Sequence, residues 1–111
     1  MTLEINWGEP VIKETDILSI QPSDLDDFYV TADAYDRSNI FFVLLSSYHY
    51  YLDKKKQNEA AHLSFLMAYY LFITLTPPGS YNLSLHYINE AVSLNPLPEY
   101  KEWLLLIQKG N

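Results

Sequence analysis

The sequence contains no cysteine, only three glycines, and few basic residues. The lack of cysteine excludes disulfide bonds, thiolate metal ligands and cysteine nucleophiles. The glycines at positions 8, 79 and 110 are too few and too far apart to form a glycine-rich phosphate-binding loop. Because Lys54–Lys56 is the only cluster of basic residues, we expect no nucleic acid partner.

Acidic residues are concentrated in the first third of the chain. Residues 1–36 carry nine acids against one base, whereas residues 37–111 carry five acids against six bases. The net charge of −7 is therefore a property of the N-terminal region. A local excess of one sign steers partners of the opposite sign. We expect a protein or peptide partner with a basic surface.

The 111 residues are 49% hydrophobic and 15% aromatic, which predicts one folded unit with a substantial core. The first residues, MTLEINWGEP, show no basic leader followed by an apolar run, and we expect a cytoplasmic protein. The apolar runs 40–52 and 63–75 are shorter than the ~20 residues that a membrane span needs. We therefore expect no membrane partner, with a membrane-associated helical hairpin as the alternative.

The chain divides into an N-terminal segment, 1–22, and a helical domain, 23–111. In the first segment Leu3, Ile5 and Trp7 alternate with polar residues, which predicts an extended arm or a short hairpin. In the second, apolar spacing predicts about five helices: 24–35, 40–52, 59–75, one from Ser80 or Asn82 to Leu94, and 98–110. The first two of these could also be one bent helix. The predicted class is all-α, built of antiparallel helix hairpins.

The helix over 59–75 is apolar on nearly every side, which predicts that it is enclosed by its own chain. The residues Thr76-Pro77-Pro78-Gly79-Ser80 predict a turn after it, since two prolines stop a helix and glycine supplies a positive φ. This segment and the helix that follows form the hairpin around which we expect the fold to be organised.

The residues SLHYINEAVSLNP, 84–96, place Ser84, Ile88 and Ala91 at regular spacing before Leu-Asn-Pro. This pattern resembles the second helix of a tetratricopeptide repeat. The starts of alternate helices also recur at the interval that a solenoid of helix pairs produces. The resemblance implies a TPR-like superhelix in which small residues permit close packing, and a role as a protein-binding scaffold.

Two segments depart from the tetratricopeptide pattern. The turn TPPGS is longer than the family's turn, and YYLDKKKQ at the end of the second predicted helix lacks the Leu-Asn-Pro ending. An ordinary helical bundle therefore remains the alternative architecture.

The sequence offers no constellation typical of an enzyme. Glu59 and His62 share a helix face, as do His86 and Glu90, but a carboxylate-bridged metal site needs further inward acids that the chain lacks. His49 has neighbouring Ser and Tyr residues but no local carboxylate to orient its ring. We expect no catalytic residue, no metal and no cofactor.

Tyrosine is the most informative residue type, because ten tyrosines cannot all face one core. Tyrosine is enriched at protein interfaces, where it adds contact area at small entropic cost. The predicted partner-binding residues are Tyr48, Tyr50, Tyr51, Tyr81, Asp24, Asp26 and Asp27. The expected function is that of a non-enzymatic interaction protein: an adaptor, a chaperone, or an inhibitor of the immunity type. An exposed apolar face on the last helix would favour a homodimer.

Overall fold

The computed structural model describes residue 3 and residues 5–110. These residues form six α-helices: α1 (Glu14–Ile17), α2 (Pro22–Thr31), α3 (Ala34–Asp53), α4 (Gln57–Tyr69), α5 (Ser80–Leu94) and α6 (Pro98–Lys109). A π-helical turn, Tyr70–Thr74, continues α4. No strand occurs in this part of the chain, so the all-α prediction is confirmed, and residues 5–21 contain the short helix α1 and no β-hairpin.

Helix α4 is the centre of the fold. Every residue from Ala60 to Tyr69 is buried, as are Tyr70, Leu71 and Phe72 in the π-helical turn. Helices α3 and α5 pack on either side of α4, and α6 packs on α5. A helix without a polar face must be covered on all sides, and here its own chain covers it. The predicted enclosure of 59–75 is confirmed over residues 60–72.

The N-terminal segment is anchored to this helical core. Ile17 in α1 and Ile20 after it are fully buried. The backbone N–H of Ile12 donates to Ser47 Oγ at 2.9 Å, and its carbonyl accepts from the Tyr51 hydroxyl at 2.6 Å. Segment 1–22 therefore contributes side chains to the core and hydrogen bonds to α3.

The predicted helices over 24–35 and 40–52 are separate, but the break between them lies earlier than predicted. Helix α2 ends at Thr31, and Ala32 adopts an extended conformation. Asp33 caps α3, because its Oδ1 accepts from the backbone N–H of Asp36 at 2.8 Å. The expected interruption at residues 36–39 lies inside α3, since Asp33 already provides the cap.

The turn between α4 and α5 forms as its sequence predicts. Gly79 has φ +79°, the left-handed conformation that glycine adopts without steric cost. Ser80 begins α5, and its backbone N–H donates to the Pro77 carbonyl at 3.0 Å. Helix α4 itself begins at Gln57, two residues before the predicted start at Glu59, and its N-cap residue Lys56 makes no side-chain cap hydrogen bond.

Candidate protein-interaction surface

Two of the tyrosines predicted to bind a partner lie inside the protein. Tyr48 is buried and donates from its hydroxyl to Glu90 Oε2 at 3.1 Å, which joins α3 to α5. Burial, together with the nearby Glu90 carboxylate, raises the pKa of Tyr48 to about 12. Tyr51 is buried as well, and burial raises its pKa. These two rings stabilise the fold and present no surface to a partner.

The three predicted acidic residues also differ in how far they are buried. Asp24 is buried in the first turn of α2, where its Oδ2 accepts from the backbone N–H of Gln21 at 2.8 Å. Asp26 is partly buried and accepts from Tyr69 and Thr74, each at 2.7 Å. Asp27 is the exposed member of the three. The acids of α2 therefore contribute mainly to capping and internal contacts.

Tyr50 and Tyr81 are the predicted tyrosines that remain exposed. Tyr50 lies near the end of α3, with the Lys54 ammonium 5.6 Å from its ring centroid. Tyr81 lies in the first turn of α5, with its hydroxyl 3.5 Å from the Gln108 carbonyl of α6. Together with Asp27 on α2, the exposed members of the predicted set lie on three different helices.

Exposed apolar and acidic residues lie closer together in the sequence where α2 meets α3. We call it the α2–α3 corner and define it by Asp27, Val30, Asp33 and Tyr35. Val30 is 75% exposed and Tyr35 is 77% exposed, more than any other large hydrophobic residue that the structure describes. Asp27 lies one turn before Val30, and Asp33 lies between Val30 and Tyr35. The corner thus combines two uncovered apolar side chains with two exposed carboxylates.

The segment that carries the corner contains more carboxylates than bases. Arg37 is the only base among residues 22–37, and its Nε donates to the Tyr29 carbonyl at 2.8 Å. Its guanidinium carbon also lies 4.1 Å from the centroid of the Tyr29 ring. These contacts hold the Arg37 side chain against α2. Asp36, half-buried in the first turn of α3, adds a further carboxylate beside Asp33.

Neither Val30 nor Tyr35 was among the predicted partner-binding residues, and Tyr35 was assigned to the end of the first predicted helix, 24–35. The signal for Val30 was present, since it lies off the apolar stripe formed by Leu25, Phe28 and Tyr29. The signal for Tyr35 was hidden by the misplaced helix break. Once α3 starts at Ala34, Tyr35 belongs to that helix and lies two turns before the exposed Phe42.

The histidines and the surface clefts offer little chemistry. His62 is buried, with both ring nitrogens in hydrogen bonds to Tyr100 and Ile20. Within the described residues no group of three or more His, Asp or Glu side chains is placed to hold a metal ion. A cavity of about 300 Å³ opens between the N-terminal segment and α3, with Glu9, Lys13 and Asp16 as its charged lining residues.

None of the described helices combines the length and the hydropathy that crossing a bilayer requires. The apolar runs 40–52 and 63–75 lie mainly in α3 and in α4 with its π-helical turn, which pack against each other.

A scan against protein-family models, a search of curated proteins and a search of solved structures each found no match for this chain.

Proposed function

We propose that this chain is a non-enzymatic, cytoplasmic protein-interaction module that binds a basic partner protein or peptide through the α2–α3 corner. The observation that carries the proposal is the exposure of Val30 and Tyr35, 75% and 77%, within a segment rich in carboxylates. Uncovered apolar side chains rimmed by polar ones mark interaction sites. Such a module could serve as an adaptor, a chaperone or an inhibitor.

The chemistry of the corner selects the partner. Tyr35 offers an amphipathic ring and Val30 an aliphatic contact, which together provide the desolvated centre of an interface. Asp27 and Asp33 flank that centre with negative charge. A partner that places an apolar side chain between lysine or arginine residues matches this arrangement. The carboxylates would act mainly on the association rate, and the apolar pair on the lifetime of the complex.

The packing of α5 supports a scaffold of the tetratricopeptide kind. Ser84, Ile88 and Ala91, which carry the sequence resemblance, are all fully buried. Ser64 of α4 donates to the Tyr87 carbonyl of α5 at 2.6 Å, so the two helices approach closely. Small side chains at a helix contact permit such an approach. We infer that α4 and α5 form one helix pair and that α6 begins the next, with the α2–α3 corner at the other end of the chain.

Affinity capture from a lysate of the native host tests the proposal with two double variants. Asp27→Asn/Asp33→Asn removes two charges, while asparagine at position 33 keeps the cap of α3. Val30→Ala/Tyr35→Ala removes the apolar centre, and we expect about thirtyfold weaker binding, as for a truncated interface anchor. The charge variant should weaken capture at low salt and have less effect at high salt.

The matched control is Asp16→Asn/Asp53→Asn, which removes the same number of exposed carboxylates from α1 and the end of α3. It should capture the same partner as the wild type. A partner retained equally by all three double variants, at every salt concentration, would contradict the assignment of the corner. Testing by substitution is preferable to deletion of residues 1–22, because Ile17 and Ile20 belong to the core.

A further inference from the structure

The outer face of α6 carries two exposed leucines. We define the α6 outer face by Glu102, Leu105, Leu106 and Lys109. Leu105 is 61% exposed and Leu106 is 47% exposed. The opposite side of α6 points into the protein, where Tyr100 and Ile107 are buried. Two adjacent leucines this exposed leave apolar surface in water on this side of α6.

The four residues form a symmetric arrangement along α6. Successive helical residues are about 100° apart, so Leu105 and Leu106 lie on either side of the line that joins Glu102 to Lys109. Glu102 lies three residues before Leu105, and Lys109 lies three residues after Leu106. The two charges lie about 10 Å apart along the axis, from the helical rise of 1.5 Å per residue. The face therefore has an acid at one end, a base at the other and two leucines between.

This arrangement is complementary to itself. When two copies of the face meet in antiparallel orientation about a two-fold axis, Glu102 of each copy lies opposite Lys109 of the other. Leu105 of each copy then meets Leu106 of the other, which removes both leucines from water. A two-fold interface requires one patch to match itself in this way.

We propose that the α6 outer face binds the same face of a second copy of this chain, in antiparallel orientation. Neither Glu102 nor Lys109 forms an ion pair with another residue that the structure describes, so both charges are available. A partner of a single charge sign would leave one of the two unmatched. A second copy matches both, and this charge pattern selects it over other occupants.

The size of the face predicts a weak dimer. One helix of 12 residues on each side lies at the small end of stable protein interfaces. The monomer and the dimer should therefore exchange, and the dimer fraction should rise with protein concentration. The proposal is independent of the α2–α3 corner, which lies on other helices.

Sedimentation equilibrium over a concentration series tests the proposal on the full chain. The wild-type mass should rise from 12.9 kDa toward twice that value. Glu102→Lys and Lys109→Glu each place like charges opposite each other twice per dimer, and each should raise the dissociation constant at least about tenfold. The double variant Glu102→Lys/Lys109→Glu restores opposite charges, and its dissociation constant should return to within about threefold of the wild type.

Lys101→Glu is the matched control, because it makes the same change of charge on the same helix. Position 101 lies about 100° around the helix from Glu102, at the edge of the α6 outer face, so this variant should dimerise like the wild type. Far-UV circular dichroism should show the same helix content for all variants, whose changes are on exposed residues. A wild-type chain that stays monomeric overturns the proposal. So does a dimer that the single reversals leave intact or that the double reversal fails to restore.

Discussion

The Nδ1 atom of His62 lies 2.9 Å from the hydroxyl oxygen of Tyr100, and its Nε2 atom lies 2.7 Å from the carbonyl oxygen of Ile20. A carbonyl only accepts, so Nε2 carries the proton and Nδ1 of the neutral ring accepts from Tyr100. One imidazole thus joins α4, α6 and the N-terminal segment. Burial lowers its pKa, although the Ile20 carbonyl and the nearby Glu99 carboxylate act in the opposite direction.

The His62 contact predicts a loss of stability in mild acid. Below the ordinary histidine pKa of 6.5, His62 is largely protonated in the unfolded chain, whereas burial disfavours its protonation in the folded protein. The free energy of unfolding should therefore fall as the pH decreases below this value. Denaturant unfolding at a series of pH values measures the slope for the wild type and for His62→Gln, whose amide can make both hydrogen bonds without titrating.

The His62→Gln variant should show a shallower fall than the wild type. His86→Gln, which changes an exposed histidine of α5, is the control and should follow the wild-type curve. Parallel curves for all three proteins would show that His62 does not contribute to the pH dependence.

The hydrogen bonds of Asp26 predict an energetic coupling between α2 and the end of α4. Its two oxygens accept from Tyr69 and Thr74, each at 2.7 Å, and hydrogen bonds to charged groups contribute more than neutral ones. A double-mutant cycle of Asp26→Ala and Tyr69→Phe should give a coupling free energy of about 1.5 kcal/mol. Asp27→Asn on the exposed side of α2 should change stability by less than about 0.5 kcal/mol. A coupling near zero would mean that solvent replaces the Asp26–Tyr69 contact at no cost.

The buried tyrosines predict a second loss of stability in alkali. Burial raises the pKa of Tyr69 and Tyr100 to about 12, from an ordinary value of 10.0, and Tyr69 is also next to the Asp26 carboxylate. Above pH 10 the unfolded chain ionises these hydroxyls while the folded protein keeps them protonated, so the free energy of unfolding should decrease as the pH rises.

A spectrophotometric titration of tyrosinate, run beside denaturant unfolding, checks this prediction. The folded protein should show a late step that Tyr100→Phe reduces. Titration of every tyrosine in one step near the ordinary pKa, with no accompanying loss of stability, would disprove the prediction.

The left-handed conformation of Gly79 predicts that a side chain at this position lowers the stability of the protein, and Gly8 provides a control. Its φ of +79° is costly for any residue with a Cβ atom, although the nearest atom to such a Cβ would be Leu83 Cδ1 at 4.0 Å, an ordinary contact distance. Gly79→Ala should lower the free energy of unfolding by about 1 kcal/mol or more. Gly8 has no positive φ, and a Cβ there would meet Asn6 at 3.4 Å, an ordinary contact distance. Thermal unfolding should place Gly8→Ala close to the wild type, and equal losses for the two variants would refute the conformational explanation.

The sequence predicted the helical class and the central helix because both depend on local pattern. Residues 60–72 are apolar on nearly every side, and such a helix must be enclosed wherever its neighbours lie. The turn at Gly79 depends equally on local chemistry. The break between α2 and α3 was misplaced because residues 33–39 contain several cap-forming side chains, and the pattern alone does not rank them.

Which tyrosines and carboxylates are exposed was harder to predict, because exposure depends on contacts between distant parts of the chain. Tyr48 and Tyr50 are two positions apart in one tyrosine-rich stretch, yet Tyr48 is buried beside Glu90 and Tyr50 is exposed. Tyr51 is buried and donates its hydroxyl hydrogen to the carbonyl of Ile12, thirty-nine residues away. Composition indicated that some tyrosines would face the surface but not which ones.

The amino-acid sequence by itself determined an acidic, all-helical chain with an enclosed central helix, because helix formation and burial periodicity are properties of neighbouring residues. Only the tertiary structure decided that Asp24, Tyr48 and Tyr51 are internal and that Val30, Tyr35, Leu105 and Leu106 face water. Whether a side chain is covered depends on which distant segments pack over it, and that is settled only when the helices assemble.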